Sequence, residues 1–441
     1  MIVLNSRVVR IAVASVLSGL LIGMVGGAFQ LLLTAANSLR GVLIVRAHAW
    51  PNAGWLAPVG LGLVGAALAR LLVVHFSPQA EGSGVQRVEA FYRGDIEPAT
   101  IAILPVKFFG GIAAMGCGLA LGREGPTVQM GSSLAALVAR FVLKTDEDAK
   151  IVDAAGAGAG LAVAFNAPMS GAIFVFEELT SSFSPYLLVA ATGAATIAVS
   201  VLRLMFGDQF DFVVKQVSLT TIWRIWPFAI LGILIGVVGA FYNRIIVLLL
   251  RISDGYVKLN SVYRAAIIGA VIGIIAWFAP TLVGGGDNLT QAILSSSVTV
   301  RALAGIFFLR FFIGPFSYAA GAPGGLFAPM LVLGASFGAL FGQLMNRFDP
   351  SLGVSPLACA LIGMGTLFSA CVRAPLTGTV LTVEMTGRGD LTLGLLGASA
   401  VAIVVAMFLG SEPIYDSLKR RTIEQQTRAK KNTMAGGVSA T

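Results

Sequence analysis

The chain has 441 residues, 56% of them hydrophobic and only 12% charged, against roughly 25% charged in an average soluble domain, so a soluble fold has nowhere to hide this much apolar surface. A net charge of +9 would suit a nucleic-acid partner, but Lys419, Arg420, Arg421, Arg428, Lys430 and Lys431 cluster after the last apolar run, where they act as a topology signal rather than an RNA-binding patch. The class left is an all-α polytopic membrane protein, its basic tail and, through Arg7 and Arg10, its N-terminus on the cytoplasmic side by the positive-inside rule.

The first apolar run, 8–35, is too long for a signal-peptide core and reads as a membrane helix. Further runs follow at 55–76, 101–121, 127–143, 151–177, 185–206, 222–250, 263–283, 301–320, 327–345, 355–385 and 391–410. Several fall short of the ~20 residues that cross the hydrocarbon as a helix, and others carry Gly and Pro punctuation that should split them. Broken helices at membrane depth are tolerated where they line a cavity or lie buried in protein, which is a transporter pattern. Glycine, at 53 residues, serves both close helix packing and local unwinding.

The chain repeats itself. GAGAGLAVAFNAPMSGAIFVFEELT (156–180) and GMGTLFSACVRAPLTGTVLTVEMT (363–386) align at a constant offset of 207, pairing Gly156 with Gly363, Pro168 with Pro375, Gly171 with Gly378 and Glu177 with Glu384. Upstream, GREGPTVQM (122–130) and GAPGGLFAPM (321–330) match more loosely. The expected architecture is two homologous halves of tilted, broken helices, about 8–206 and 222–410, within a transport domain over 1–411. The polar stretch 207–221 is the connector, and 412–441 completes the last helix, with Tyr415, and the basic tail. The halves are taken as inverted repeats, a direction the sequence itself leaves open, and duplicated halves meeting at broken helices put the substrate near the midplane.

The residues that usually carry redox or metal chemistry are sparse. Cys117, Cys359 and Cys371 all lie in apolar runs and read as small buried hydrophobes, and His48 and His75 have neither neighbours nor spacing for a metal site. No cofactor is expected. Gly334-Ala335-Ser336-Phe337-Gly338 matches a nucleophile elbow, but it sits inside an apolar helical run and no His follows it. Gly60 to Gly65 matches a dinucleotide fingerprint without a βαβ unit around it. Neither makes the chain an enzyme.

Three glycine-rich strings precede apolar helical runs: Gly82-Ser83-Gly84-Val85-Gln86, Gly122-Arg123-Glu124-Gly125-Pro126 and Gly325-Leu326-Phe327-Ala328-Pro329. Each reads as a helix N-terminus, with unpaired N–H groups and the positive end of the dipole. Such ends, converging, hold an anion without a formal cation that would bind it too tightly to release. An intramembrane Glu such as Glu124 is costly to bury and functional by default. Of the adjacent Glu177 and Glu178, the first has a twin in Glu384, which suggests scaffold duty, whereas Glu178 faces Met385, which suggests specialised chemistry.

Together these strings resemble the three signature motifs of the ClC chloride channels and chloride/proton exchangers, in order and spacing. LPVKFFGG (104–111), AFNAPMSGAIFVFEEL (164–179), RAPLTG (373–378) and EPIYDSL (412–418) resemble bacterial members too. The resemblance implies a chloride/proton antiporter of the inner (plasma) membrane, multi-pass, a homodimer in the bilayer, with chloride and protons as substrates. It implies that Ser83 and Tyr415 give hydroxyls, and Leu326 and Phe327 backbone N–H groups, to a dehydrated anion. Glu124 becomes the outer gate, Glu178 the inner proton-transfer residue, and Lys107 a buried charge that shapes the field indirectly. Gln86 departs from the family's usual Pro, which bears on where the first helix starts. Arg123 and Arg373 are expected in structural pairs. The alternative on the same fold is a passive voltage- or pH-gated chloride channel; Glu178 favours the exchanger. Nitrate-preferring relatives carry Pro in place of the serine, and fluoride exporters depart at the serine and tyrosine motifs, so Ser83 and Tyr415 point to chloride.

Overall fold

The computed structural model describes residues 6–215, 226–255, 259–295 and 298–438, with side chains described up to residue 427. The first half holds α1 (Ser6–Ala47), α2 (Leu56–Phe76), α3 (Val85–Arg93), α4 (Ile103–Gly116), α5 (Glu124–Val142), α6 (Asp146–Phe165), α7 (Pro168–Phe174) and α8 (Pro185–Phe206). The second holds α9 (Trp226–Gly255), α10 (Ser261–Phe278), α11 (Asp287–Ser295), α12 (Val300–Tyr318), α13 (Phe327–Phe348), α14 (Pro356–Val372), α15 (Pro375–Thr386) and α16 (Thr392–Phe408), followed by α17 (Ile414–Val438). Among the described residues there is no sheet, only two isolated bridges, Gly82 with Pro323 and Gly122 with Gly325. Among the described residues eight helices are long and apolar enough to cross a membrane, and their outward faces carry large hydrophobic side chains.

Local chemistry explains the breaks. The run 151–177 splits where Asn166 turns left-handed, φ 49°, and Pro168 opens α7; the run 355–385 splits where Arg373 does the same, φ 76°, and Pro375 opens α15. Proline starts a helix well because its missing N–H is not needed there. The start of α6 has Thr145 accepting from Asp148 N and three acids in its first turn, a side-chain cap with favourable dipole charges.

The two halves pack alike. A methyl on Gly131 of α5 would sit 2.3 Å from the Gly156 carbonyl of α6, and one on Gly334 of α13 would sit 2.2 Å from the Gly363 carbonyl of α14. The close contact of Gly19 with Ala194 likewise returns as Gly232 with Ala398. Equivalent residues also serve each other. The Glu384 carboxylate accepts from Met169 N (3.0 Å), Ser170 N (2.7 Å) and Ser170 Oγ (2.6 Å). The Glu177 carboxylate accepts from Leu376 N (2.9 Å), Thr377 N (2.7 Å) and Thr377 Oγ1 (2.7 Å). Each acid, at the end of its own helix, caps the start of its twin's, so α7 and α15 lie antiparallel. Gly122 and Gly325 exchange both backbone hydrogen bonds, 2.9 and 2.7 Å. Self-complementary contacts of this kind mark a two-fold relation, and the antiparallel twins make it an inverted one.

Three features depart from the expected segments. Helix α1 runs on to Ala47, past residue 35, and the short helices α3 and α11 fall outside the apolar runs. The connector is described only up to residue 215, and 216–221 lie outside the described residues. The described tail is the helix Ile414–Val438, and part of its basic charge is committed to protein rather than left free. Lys419 pairs with Glu89 (2.6 Å) and Asp416 (2.8 Å), and Arg421 with Glu81 (2.8 Å) and Asp254 (2.7 Å). The side chains of Arg428, Lys430 and Lys431 lie outside the described residues.

Candidate functional site

The glycine-rich strings end where helices begin: α3 starts at Val85 after a left-handed Gly84 (φ 91°), α5 at Glu124 and α13 at Phe327. Gln86 in place of the family's Pro therefore leaves the start of α3 intact. The three loops are bonded to one another through the Gly122–Gly325 pair and through Gly324 N, which donates to Gly82 O at 3.1 Å. Gly125 is wedged between them; a methyl there would lie 2.8 Å from Ser83 Cα and 2.9 Å from Gly325 Cα. Only glycine permits three helix starts to approach this closely.

Glu124 is fully buried. Its Oε1 accepts from Phe327 N at 2.7 Å, the first N–H of α13, while Oε2 is buried without a protein partner. The carboxylate lies against Gly122 and Gly325, where a methyl on either would come within 2.0 Å of a carboxylate oxygen. The acid thus sits on the N–H group assigned to an anion, so carboxylate and anion compete for one donor. Leu326, buried, is the residue just before α13.

Ser83 and Tyr415 are both fully buried, and neither hydroxyl has a hydrogen-bond partner of good geometry. They lie within reach of each other, and Tyr415 is close enough to Glu124 and to Glu178 to feel both carboxylates. Buried hydroxyls are normally satisfied, so this pair is built to meet something else. The backbone around Ser83 is held from behind. Lys107, fully buried, donates from Nζ to Gly82 O (2.7 Å) and Ser83 O (3.1 Å). With the negative carbonyl ends engaged by an ammonium, the Ser83 loop presents a more positive face.

Glu178 lies half-buried in a π-helical turn, Val175–Leu179, that continues α7. Thr180 N closes it on Val175 O at 2.9 Å. The equivalent turn of α15 is ordinary α-helix, and π turns concentrate at functional positions. The charged groups around Glu178 are Glu89, Asp416, Glu177 and Lys419. The structure therefore gathers Ser83, Glu124, Leu326, Phe327 and Tyr415 around one point, with Glu178 off to the side of α3 and α17.

Sequence reasoning missed several members. Tyr318 OH accepts from Ser83 N at 3.1 Å, and the Phe327 ring is enclosed by Phe165, Phe174, Phe368 and Tyr415 at centroid distances of 4.5–6.3 Å. Nothing in the local sequence marks these residues; the twin glycines 122 and 325 were findable, being equivalent in the repeat. Arg123 makes its ion pair, with Asp211 at 3.0 Å. Arg373 has no carboxylate in its described bonds; it donates to the carbonyls of Ala370, Ile403 and Ser411, holding its own left-handed turn. Ser336 donates to Leu333 O within α13, as a helix residue does.

Residues 65–407 match the family model described as Voltage gated chloride channel. The chain is 36% identical over 416 residues to the H(+)/Cl(-) exchange transporter ClcA of Vibrio campbellii, covering 92% of this chain and 88% of that one. To the protein of the same name from Cronobacter sakazakii it is 34% identical over 434 residues, covering 96% and 91%. Among solved structures, a slow cyanobacterial Cl−/H+ antiporter superposes with a TM-score of 0.91 at 33% identity, covering 95% of this chain and 99% of that one. A CLC-type fluoride/proton antiporter shares the fold, with a TM-score of 0.76 at 19% identity over 90% of this chain and 95% of that one.

Proposed function

This chain belongs to the ClC family of chloride channels and chloride/proton exchangers, and from that premise we propose that it exchanges chloride for protons across the membrane. The observation that carries this reading is the Glu124 carboxylate seated on Phe327 N (2.7 Å), beside two buried, unpartnered hydroxyls. An anion that displaces the carboxylate gains the N–H group of Phe327, that of Leu326 beside it, and the hydroxyls of Ser83 and Tyr415. Protonation of Glu124 removes its charge and its claim on the donor, so the gate opens with a proton aboard. Chloride needs no carboxylate along its route, but a proton crossing a dry interior needs relay groups. Glu178, the second acid near Tyr415, serves the inner end.

The membrane assigned is the cell's inner (plasma) membrane, with both termini cytoplasmic. Arg7, Arg10 and the basic α17 support that sidedness. Arg7 also pairs with Glu147 and Asp148 at the start of α6, which puts that end of α6 on the same side. The assembly proposed is a homodimer with a pathway in each subunit, a reading that rests on family membership.

The test is flux in proteoliposomes. A chloride gradient should drive protons uphill in wild type, and Glu178→Gln should leave chloride moving, now uncoupled, with proton flux at background. Proton pumping at the wild-type rate by the variant refutes the relay assignment. A wild type that moves chloride without uphill protons makes the protein a passive channel instead.

A further inference from the structure

Asp153, two turns into α6, is 5% exposed, and its carboxylate accepts from Ser132 Oγ of α5. Burying an acid is costly, so it needs a reason, and the repeat supplies an internal control. By the correspondence of Gly131 with Gly334 and Gly156 with Gly363, Ser132 and Asp153 stand where the second half has Ala335 and Ala360. The α13–α14 contact is made with two alanines, both fully buried. The helix crossing therefore does not require the acid.

A narrow cleft, with about 60 Å³ of room for water, has Asp153 and Ser132 on its wall and Thr100 and Arg140, both exposed, at its rim. Arg87 and Gln129 line the same wall. The charged groups of the cleft besides Asp153 are Arg87 from α3, Glu97 from the loop after it and Arg140 from α5. The other elements packed on α6, namely α1, α7, α8 and the π turn, place no charged side chain on its wall among the described residues.

Depth follows from the α6–α7 hairpin. A methyl on Gly171 would strike Ala162 Cβ at 2.7 Å, and one on Gly158 would strike Val175 Cγ2 at 2.3 Å. Continuing along the two antiparallel segments brings Asp153 to within about one turn of the level of Glu178. Between them stands α3: Arg87 and Val88 line the cleft, and Glu89 is among the groups acting on Glu178.

We propose that Asp153 is a proton-loading site of the exchange cycle, taking protons from the solution through this cleft and handing them on at the depth of Glu178. The proton passes to an Asp153 carboxylate oxygen from hydronium in the cleft, leaving water, or from water, leaving hydroxide that diffuses out to the solution. It then moves by water along the α3 wall to the Glu178 carboxylate, restoring one carboxylate as the other is neutralised. This inference rests on the exchanger reading.

The test copies the second half into the first. Ser132→Ala/Asp153→Ala keeps a packing the protein already uses, and Asp153→Glu keeps the acid. Proton and chloride flux are measured together in liposomes as the medium is taken from mildly acid to alkaline. A positioned proton-transfer group is commonly worth about 10²-fold, and bypass through bulk water leaves an expected loss of about tenfold here. The double alanine variant should lose that much at alkaline pH, where free protons are scarce, recover toward wild type in acid, and be rescued by Asp153→Glu. Wild-type flux at every pH overturns the proposal, and so does a loss independent of pH, which assigns Asp153 a structural part. Uphill proton movement by wild type in the same liposomes tests the exchanger reading separately.

Discussion

The two halves share a chain path, close helix contacts and a reciprocal pair of capping carboxylates, yet they differ at three acids, two of them buried and one half-buried. Where the first half has Glu124, Asp153 and Glu178, the second has Phe327, Ala360 and Met385, by the register that pairs Gly122 with Gly325 and Gly156 with Gly363. The shared acid, Glu177 and Glu384, engages backbone in both halves. The capping acids thus stand in both copies, and the acids proposed to handle protons stand in one. Even at the central site the asymmetry is complementary: the second half offers a backbone N–H at Phe327, and the first offers the carboxylate that takes it.

The sharpest way to break that comparison is to remove the titratable proton of Glu124 while keeping its shape. Glu124→Gln should hold anion flux and drop proton flux by about 10²-fold or more, the scale of a lost proton-transfer group, with most of the pH dependence gone. Simultaneous chloride and proton recordings check it. A variant that still pumps protons against their gradient shows that Glu124 is not the gate.

A smaller effect separates the anion chemistry from the proton chemistry. Ser83→Ala deletes one hydroxyl donor that favours a small, strongly hydrated anion. A hydrogen bond to a charged group contributes about 1.5–3 kcal/mol, which is roughly 10- to 100-fold in nitrate-to-chloride preference if fully expressed. Alanine is a cleaner probe than proline, which would also remove the N–H that Ser83 donates to Tyr318 (3.1 Å). Competition calorimetry reads the ratio, and no change in it removes Ser83 from the anion site.

What the sequence made legible was whatever its own repetition or its glycines encode. The three helix starts, the breaks near Pro168 and Pro375 and the scaffold part of Glu177 follow from short strings. The contacts that escaped are long-range. Tyr318 reaches Ser83 across 235 residues and Lys419 reaches Glu89 across 330, and no local pattern announces such a pair. The π turn under Glu178 escaped as well, since α15 reaches Thr386 at the equivalent position as plain α-helix. Asp153 was visible as an acid in an apolar run, but its meaning required knowing that Ser132 and a cleft lie against it.

The part the halves share should answer to substitution equally in both copies. Each capping carboxylate accepts two backbone N–H bonds and one hydroxyl bond at the start of the twin helix, and an ionised acceptor at a helix N-terminus also meets the positive end of the dipole. Glu177→Gln and Glu384→Gln each keep one carbonyl oxygen and lose the charge, so each should cost about 2 kcal/mol of stability, within the range for charge-assisted bonds. Because the contacts are the same in number and kind, the two losses should agree within about 1 kcal/mol, given the context dependence of such bonds. Thermal unfolding in detergent, run side by side, measures both. Neither substitution removes a proton relay, so the ratio of protons to chloride should stay at the wild-type value in both, in contrast to Glu178→Gln, whose altered residue is the immediate neighbour of Glu177. Unequal stability losses would mean that the two-fold relation is geometric without being energetic. A changed coupling ratio in Glu177→Gln would mean that the scaffold acid also carries protons, and the division between shared framework and first-half chemistry would have to be redrawn.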